Sequence, residues 1–121
     1  MKYMTANLQA PSLQDLATQC CKPLKGGEHS LTAELITRGL LKIPGWCVLD
    51  NELVREFKFS DYYHSIAFVN AVAYVAHAQD HHPELSVHYN RVQVRFSTHD
   101  VGGLSLNDFI CAARVNALIS A

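Results

Sequence analysis

Three histidines stand where the sequence predicts the ends of secondary-structure elements. His81 and His82 directly precede Pro83, a residue that ends helical geometry. His99 follows an alternating segment that predicts a strand. An imidazole has an unperturbed pKa of about 6.5 and can donate or accept a proton near neutral pH. If they meet at one rim of a sheet, these three side chains could carry out a combined acid and base step.

The chain before these histidines predicts a helix, a β-hairpin and a longer helix. A helix over residues 31–42 follows Ser30, whose hydroxyl can cap it. Alternating segments at 46–49 and 52–59 then predict the hairpin. The longer helix, of about five turns, begins at residue 60 or 61 and is apolar on more than one side. Such a helix suits an oligomer interface as well as a deep core.

The chain after the histidine pair predicts a second hairpin and a last helix. Segments at 85–89 and 92–96 alternate, and a helix extends from Ser105 to about Ile119. The order is therefore helix, strand, strand, helix, strand, strand, helix. This order predicts an α+β fold, a four-stranded antiparallel sheet with three helices packed on one face. The histidines would lie at one end of that sheet.

The composition is that of one globular domain and excludes several classes of function. The chain has 121 residues, of which 49% are hydrophobic and 17% charged. Its formal net charge is -1 and it contains no run of Lys or Arg, so direct binding to nucleic acid is disfavoured. No segment has the length of a signal peptide core or a membrane helix. We predict a cytoplasmic protein without membrane association.

The first part of the chain differs from the rest. Residues 1–28 have no sustained periodicity, which predicts a partly ordered N-terminal extension before a domain over residues 29–121. The cysteines fit neither a zinc motif nor a disulfide framework, so free thiols are expected at Cys20, Cys21, Cys47 and Cys111.

Short motifs surround the three histidines in a fixed order. They are Asp80-His81-His82-Pro83-Glu84, Tyr89-Asn90 with Val92, Ser97-Thr98-His99-Asp100, and Gly103-Leu104-Ser105 with Asp108. Together they resemble the signature of the pterin-4a-carbinolamine dehydratases. Further matches upstream extend the resemblance over about residues 44–119: Gly45-Trp46, Phe57-Lys58-Phe59 and Ala67-Phe68.

The resemblance implies an activity without a metal or a redox cofactor. Members of this family dehydrate 4a-hydroxytetrahydropterin, which aromatic amino acid hydroxylases release, to the quinonoid dihydropterin. The pterin is the substrate, and the enzyme recycles it for the hydroxylase. By family position, the catalytic residues are His81, His82 and His99. His81 and His99 would transfer protons, and His82 would chiefly position the substrate.

The resemblance also implies a set of substrate-binding residues. They are Asp80, His81, His82, Pro83, Ser97, Thr98, His99 and Asp100. Asp108 and Trp46 are candidate supporting residues. Asp108 lies three residues after Ser105, a spacing that also predicts a capping box at a helix start. Trp46 could line the pocket, although an aromatic residue that begins a strand is more often part of the core.

One position departs from the family pattern. The residue four before His81 is commonly acidic in the family and is His77 here. His77 and His81 share a helix face, so a metal site with Asp80 or His99 as a third ligand is an alternative. The sequence lacks the H-E-x-x-H signature of such helices, and no metal is expected.

Two further functions remain open at this point. Family members can act as dimerising partners of transcription factors or as accessory proteins, which would place the function on a helix surface. A pterin binder without useful catalysis is the other alternative, because His77 departs from the pattern. The family implies a homodimer or a homotetramer, and an aromatic amino acid hydroxylase as a possible partner.

Overall fold

Three helices and four strands follow one another in the predicted order in the computed structural model, which describes residues 11–119. The helices are α1 (Ala33–Leu40), α2 (Tyr62–Gln79) and α3 (Leu106–Ile119). The strands are β1 (Cys47–Leu49), β2 (Glu52–Lys58), β3 (Glu84–Val87) and β4 (Arg91–Phe96). The predicted α+β class is confirmed. Within the described residues, no helix has both the length and the apolar character needed to cross a membrane.

The sheet is antiparallel throughout, with strand order β1-β2-β4-β3. Glu84 at the start of β3 pairs with Arg95 near the end of β4. The residues just before β3 therefore lie beside the residues just after β4. This register brings His82 and its neighbours to the same rim as Ser97 and its neighbours, although the two segments are far apart in the sequence.

The two faces of the sheet differ sharply in polarity. Inward-facing side chains of β2 and β4 are almost fully buried, namely Leu53, Phe57, Val92, Val94 and Phe96. The outward face carries ion pairs between β2 and β4, with Arg95 Nε 3.1 Å from Glu52 Oε1 and Arg91 Nε 3.3 Å from Glu56 Oε2. Strand alternation therefore confines the hydrophobic core to one face, where the helices cover it.

The first helix is shorter than predicted and has a different cap. It begins at Ala33, and the Thr32 hydroxyl accepts a hydrogen bond from Leu35 N at 3.2 Å. Ser30 is not the cap; it adopts extended backbone, and the following Leu31 N donates to Leu104 O at 2.8 Å.

A close contact joins α1 to α3. A Cβ atom added at Gly39 would lie 2.6 Å from the Phe109 ring, well inside the normal contact distance. Phe109 is fully buried in the core. Only glycine allows this approach of the two helices.

Residues 11–28, the described part of the N-terminal arm, pack against the ends of α2 and α3. Leu16 is buried in the core. Cys21 N donates to Gln79 Oε1 at 2.8 Å, and Lys22 exchanges two hydrogen bonds with the Asn107 side chain, at 3.1 and 2.6 Å. The predicted boundary between the extension and the domain at residue 28 stays a prediction, and residues 1–10 lie outside the described part.

Candidate active site

The end of α2 fixes the backbone of His81. Asp80 adopts the left-handed conformation, with φ 51° and ψ 44°. Its N–H donates to His77 O at 3.3 Å, and the next N–H, of His81, donates to Ala76 O at 3.1 Å. These two bonds form the Schellman motif that ends many helices. Aspartate tolerates this conformation better than most residues with a Cβ atom, so His81 leaves the helix in a defined direction.

A buried carboxylate holds the side chain of His81. His81 Nε2 lies 2.6 Å from Asp108 Oδ1; the Asp108 side chain is 0% exposed and that of His81 12%. The imidazole stacks on the Phe96 ring, with centroids 5.9 Å apart and an interplanar angle of 10°. Since Nε2 is engaged by Asp108, Nδ1 is the ring nitrogen that remains for a ligand.

Asp108 is itself held by the start of α3. Its Oδ2 atom accepts hydrogen bonds from the Thr98 hydroxyl at 2.8 Å and from Ser105 N at 2.9 Å. Ser105 Oγ accepts a bond from Asn107 N at 3.2 Å. The predicted capping box is present in part, because Asp108 accepts a bond from Ser105 N but the Ser105 hydroxyl binds the N–H of Asn107 and not that of Asp108. Asp108 thus begins the helix with one oxygen and orients His81 with the other.

The environment of His81 favours its protonated form. Burial alone would lower the pKa of the imidazole, since it disfavours the charged ring. The hydrogen bond and the negative charge of Asp108 outweigh burial, with smaller contributions from Cys21 and Asp80, and the pKa of His81 is raised above its usual 6.5. His81 is therefore suited to act as a proton donor near neutral pH.

A cavity of about 270 Å³ unites the predicted catalytic histidines. Its lining consists of Asp80, His81, His82, Ser97, Thr98, His99 and Asp100. Of the predicted substrate-binding residues, only Pro83 is not among them. Unlike His81, both His82 and His99 are exposed. His99 begins a short 3-10 turn, His99–Val101, which Thr98 closes by donating its N–H to Gly103 O at 3.0 Å.

The N-terminal arm forms a wall that the sequence did not predict. A second cavity, of about 250 Å³, contains His81 and is lined on one side by residues 21–24. Gln79 and Asn107, which bind the arm, complete this lining. No periodicity marks the arm, and its only sequence signal is a scatter of apolar residues such as Leu16 among polar ones. Its docking depends on bonds between side chains and backbone, which patterns do not reveal.

A glutamate was also missed. Ser97 Oγ donates to Glu52 Oε2 at 3.3 Å, and both residues line a cavity of about 320 Å³ that His99 shares. Glu52 begins β2 and pairs with Leu49 across the first hairpin. The sequence signal that could have identified Glu52 was its position at a strand end, directly after the predicted hairpin turn.

Trp46 lies in the core and does not line the cavities that contain His81. It is buried, its Nε1 donates to Asn116 Oδ1 at 2.7 Å, and its ring is 5.9 Å from the Phe96 ring. It reaches His81 only through Phe96. Another cavity, of about 670 Å³, has a lining without histidine, between the arm, α3 and Arg55.

The alternative of a metal site has no support in the geometry. Within residues 11–119, no three His, Cys, Asp or Glu side chains are arranged as metal ligands. His77 is exposed, and His81 Nε2 is engaged by Asp108 rather than shared with His77.

Comparisons with known proteins identify the family. A model of the family described as Pterin 4 alpha carbinolamine dehydratase matches residues 29–118. A relative from Xanthomonas oryzae pv. oryzae, named as a member of the same family, is 55% identical over 100 residues, 81% of this chain and 85% of the relative. One from Nitrosospira multiformis is 48% identical over 107 residues, 88% of this chain and 95% of the relative.

Solved structures share the fold. A crystal structure described as a transcriptional coactivator/pterin dehydratase from Brucella melitensis matches with a TM-score of 0.72 and 33% identity, over 75% of this chain and 99% of that one. A pterin dehydratase-like protein described as a RuBisCO assembly factor matches in fold, with a TM-score of 0.56 and 23% identity, over 66% of this chain and 95% of that one. From the family match and these relatives, the chain belongs to the pterin-4-alpha-carbinolamine dehydratase family of hydro-lyases.

Proposed function

We propose that this enzyme dehydrates 4a-hydroxytetrahydropterin to quinonoid dihydropterin by histidine acid and base catalysis. The observation that carries the proposal is the buried His81–Asp108 pair beside a cavity that His82 and His99 also line. The residues of this site come from the end of α2, the start of α3 and the rim of the sheet. A surface cluster of histidines would have no reason to be oriented by a fully buried carboxylate.

The reaction needs one proton donor and one proton acceptor. The bond between C4a and its hydroxyl oxygen breaks, and a proton delivered to that oxygen lets it leave as water. A proton leaves N5, and its electron pair forms the double bond between N5 and C4a. Protons and electrons balance without an oxidant, a reductant or a metal. General acid and base catalysis typically contributes about 10² to 10⁴ in rate.

We assign the proton donor to His81 and the acceptor to His99. The raised pKa of His81 increases the fraction of its ring that carries a proton near neutral pH, and Asp108 holds the ring so that Nδ1 is available. His99 is an exposed residue of the same cavity lining and, within residues 11–119, forms no such carboxylate bond. His82 positions the substrate, and the polar groups of Asp80, Ser97, Thr98 and Asp100 bind the edge of the pterin ring.

The biological setting belongs to the same proposal. The substrate forms when a pterin-dependent hydroxylase transfers oxygen to an aromatic amino acid, so an enzyme of that class is the supplier and a possible partner. The product returns to the hydroxylase after reduction. A cytoplasmic location, where both enzymes would share the pterin, fits this role.

We also propose that the chain forms a homodimer or a homotetramer. Strand β3 lies at an edge of the sheet, so one row of its backbone N–H and C=O groups has no strand beside it. On α2, Tyr63 and Tyr74 are 76% and 75% exposed. A second copy could cover either surface, and sedimentation velocity would count the copies.

The test of the proposed reaction is the dehydration rate of freshly generated 4a-hydroxytetrahydropterin after subtraction of the spontaneous rate. We expect His81→Gln and His99→Ala to lose most of the acceleration. His88→Ala is the matched control, because His88 is exposed and absent from the lining of the histidine cavity. Unchanged turnover in both site variants, with intact circular dichroism spectra, would refute the assignment.

A protein-binding module is the second candidate function. It is favoured by the two exposed tyrosines of α2 and by the coactivator description of the Brucella melitensis structure. A module would retain its partner when His81, His82 and His99 are all replaced, and would lose it in a Tyr63→Ser/Tyr74→Ser variant. Tight pterin binding by the wild type without turnover would instead indicate a non-catalytic pterin binder.

A further inference from the structure

Two cysteines from distant parts of the chain meet beside the active site. Cys21 Sγ, in the arm, lies 3.6 Å from Cys111 Sγ, in α3, although the two residues are 90 positions apart. Cys111 is fully buried and Cys21 partly so. Both thiols are free. Cys20, which directly precedes Cys21, is exposed and takes no part in this contact.

Hydrogen bonds fix this position of the arm. Cys21 N donates to Gln79 Oε1 at 2.8 Å, and the following Lys22 is bound on both sides by the Asn107 side chain. Before Cys21, Arg114 Nε donates to Gln19 O at 3.0 Å. The two sulfur atoms are therefore held near each other by the fold. A disulfide bond has a length of about 2.05 Å, so a movement of about 1.5 Å would close it.

The surroundings give the two thiols different reactivity. The hydrogen bond from Cys111 lowers the pKa of Cys21, although burial opposes this effect. The nearby positive charges of His81 and Arg114 also lower the pKa of Cys21. The bond to Cys21 and burial raise the pKa of Cys111. Cys21 also lines the cavity that contains His81, through which a small oxidant can enter. Cys21 is thus the thiolate open to attack, and Cys111 the thiol behind it.

We propose that Cys21 and Cys111 form a redox modification site that hydrogen peroxide converts to a disulfide. The Cys21 thiolate attacks one oxygen of the peroxide and the O–O bond breaks. Cys21 becomes a sulfenic acid, and the leaving hydroxide takes up the proton that the Cys21 thiol had released and departs as water. Cys111 then gives up its proton and attacks the Cys21 sulfur; the S–O bond breaks and a second water leaves. Two thiols are oxidised by two electrons in total, and the peroxide is reduced to two waters. A dithiol reductant reverses the change.

Oxidation alters the wall of the cavity next to His81. The charged groups that face His81 are Asp108 from α3, Asp80 from its own segment and Cys21 from the arm. The disulfide removes the negative charge of Cys21 and leaves the other two. If the proposed dehydration holds, the alkaline limb of the pH profile of turnover, where His81 loses its proton, moves to lower pH in the oxidised enzyme and returns after reduction.

Peptide mapping of the full chain tests the site without reference to activity. Reduced protein is treated with hydrogen peroxide, digested with trypsin and analysed without reduction. Lys and Arg positions place Cys20 and Cys21 in the peptide 3–25, Cys47 in 43–55 and Cys111 in 96–114. We expect a covalent link between peptides 3–25 and 96–114, and a fall in free thiols from four to two. Dithiothreitol should restore all four.

Single variants identify the sulfur atoms. Cys20→Ser and Cys47→Ser should keep the link, and Cys21→Ser should abolish it while the fold, checked by circular dichroism, remains. The link should also raise the Tm, because it closes a long loop. A link that persists in Cys21→Ser, a link to peptide 43–55, or oxidation of Cys21 to a sulfinic acid without any link would overturn the proposal. These results stand whether or not the protein dehydrates the pterin.

Discussion

His81 and His82 are adjacent in the chain and line the same cavity, but their surroundings differ. His81 stacks on Phe96 and is bound to the buried Asp108. In contrast, His82 is exposed, as is His99 in the same cavity lining. One part of the site is therefore a rigid network within the core. The other part consists of side chains that can move to meet a ligand.

The difference shows how a fold can give one residue type two functions. Asp108 is already desolvated and bonded before any substrate arrives, so the orientation of His81 costs nothing further when the ligand binds. His82 and His99 are exposed, so their side chains can change rotamer when a ligand binds. In the proposed mechanism, the His81–Asp108 pair provides a fixed group for proton transfer, and the exposed histidines provide contacts that adjust to the substrate.

The largest expected effect comes from removal of the carboxylate. Asp108→Ala would leave His81, the Thr98 hydroxyl and Ser105 N without their shared acceptor. Loss of one partner from a buried ion pair typically costs about 3–5 kcal/mol, and we expect that loss in the free energy of unfolding measured by urea denaturation. Asp100→Ala, an exposed aspartate of the same cavity, is the control and should not change stability measurably. Equal stability of the two variants would show that the network is not a structural unit.

The next effect separates the two neighbouring histidines by kinetics. His81→Gln should lower kcat by about 10² to 10⁴, because it removes the proposed proton donor. His82→Gln should act mainly on KM, because the role proposed for this side chain is to position the substrate and not to transfer a proton. Steady-state rates over a range of pterin concentrations provide both constants. A larger fall in kcat for His82→Gln than for His81→Gln would reverse the roles proposed for the two histidines.

The pH dependence of stability offers a third comparison. The folded pKa of His81 lies above its unfolded value of 6.5, so the stabilisation is complete below pH 6.5 and is lost as pH rises through the raised folded value. Unfolding free energies of the wild type and His81→Gln should therefore differ more at about pH 5.5 than at about pH 8.5. A difference that grows with pH would contradict the charged His81–Asp108 pair.

The smallest effect concerns the backbone beneath His81. Asp80 has a φ of 51°, a conformation that costs a residue with a Cβ atom about 1–2 kcal/mol relative to glycine. Asp80→Gly should therefore be more stable than Asp80→Ala by about 1 kcal/mol in urea denaturation. Both variants lose the carboxylate, so the comparison isolates the backbone. Equal stability would mean that the Schellman motif does not hold in solution.

Local rules predicted the parts of the site that depend on neighbours in the sequence. Pro83 marks the end of a helix, alternation marks the strands, and the spacing of Ser105 and Asp108 indicates a cap; together they place three histidines at one rim. The bond between His81 and Asp108 spans 27 residues and requires α2 and α3 to dock, which no local pattern specifies. The same reason explains why the sequence did not connect the arm with the cavity.

The cap of α1 shows the limit of local rules in a simpler case. The sequence analysis predicted Ser30 as the cap, whereas Thr32, another residue type that caps helices well, caps the helix in the structure. Between them, Leu31 N donates to Leu104 O, a contact with a distant loop that no local pattern indicates.

The attachment of His81 has a mechanical consequence. Its main chain is tied to the last turn of α2 through Ala76, and its ring is tied to the first turn of α3 through Asp108. His81 thus connects two helices, and a movement of α2 relative to α3 would change the 2.6 Å distance between His81 Nε2 and Asp108 Oδ1. Because that bond contributes to the raised pKa of His81, a change in the relative position of the two helices would change the acidity of the ring.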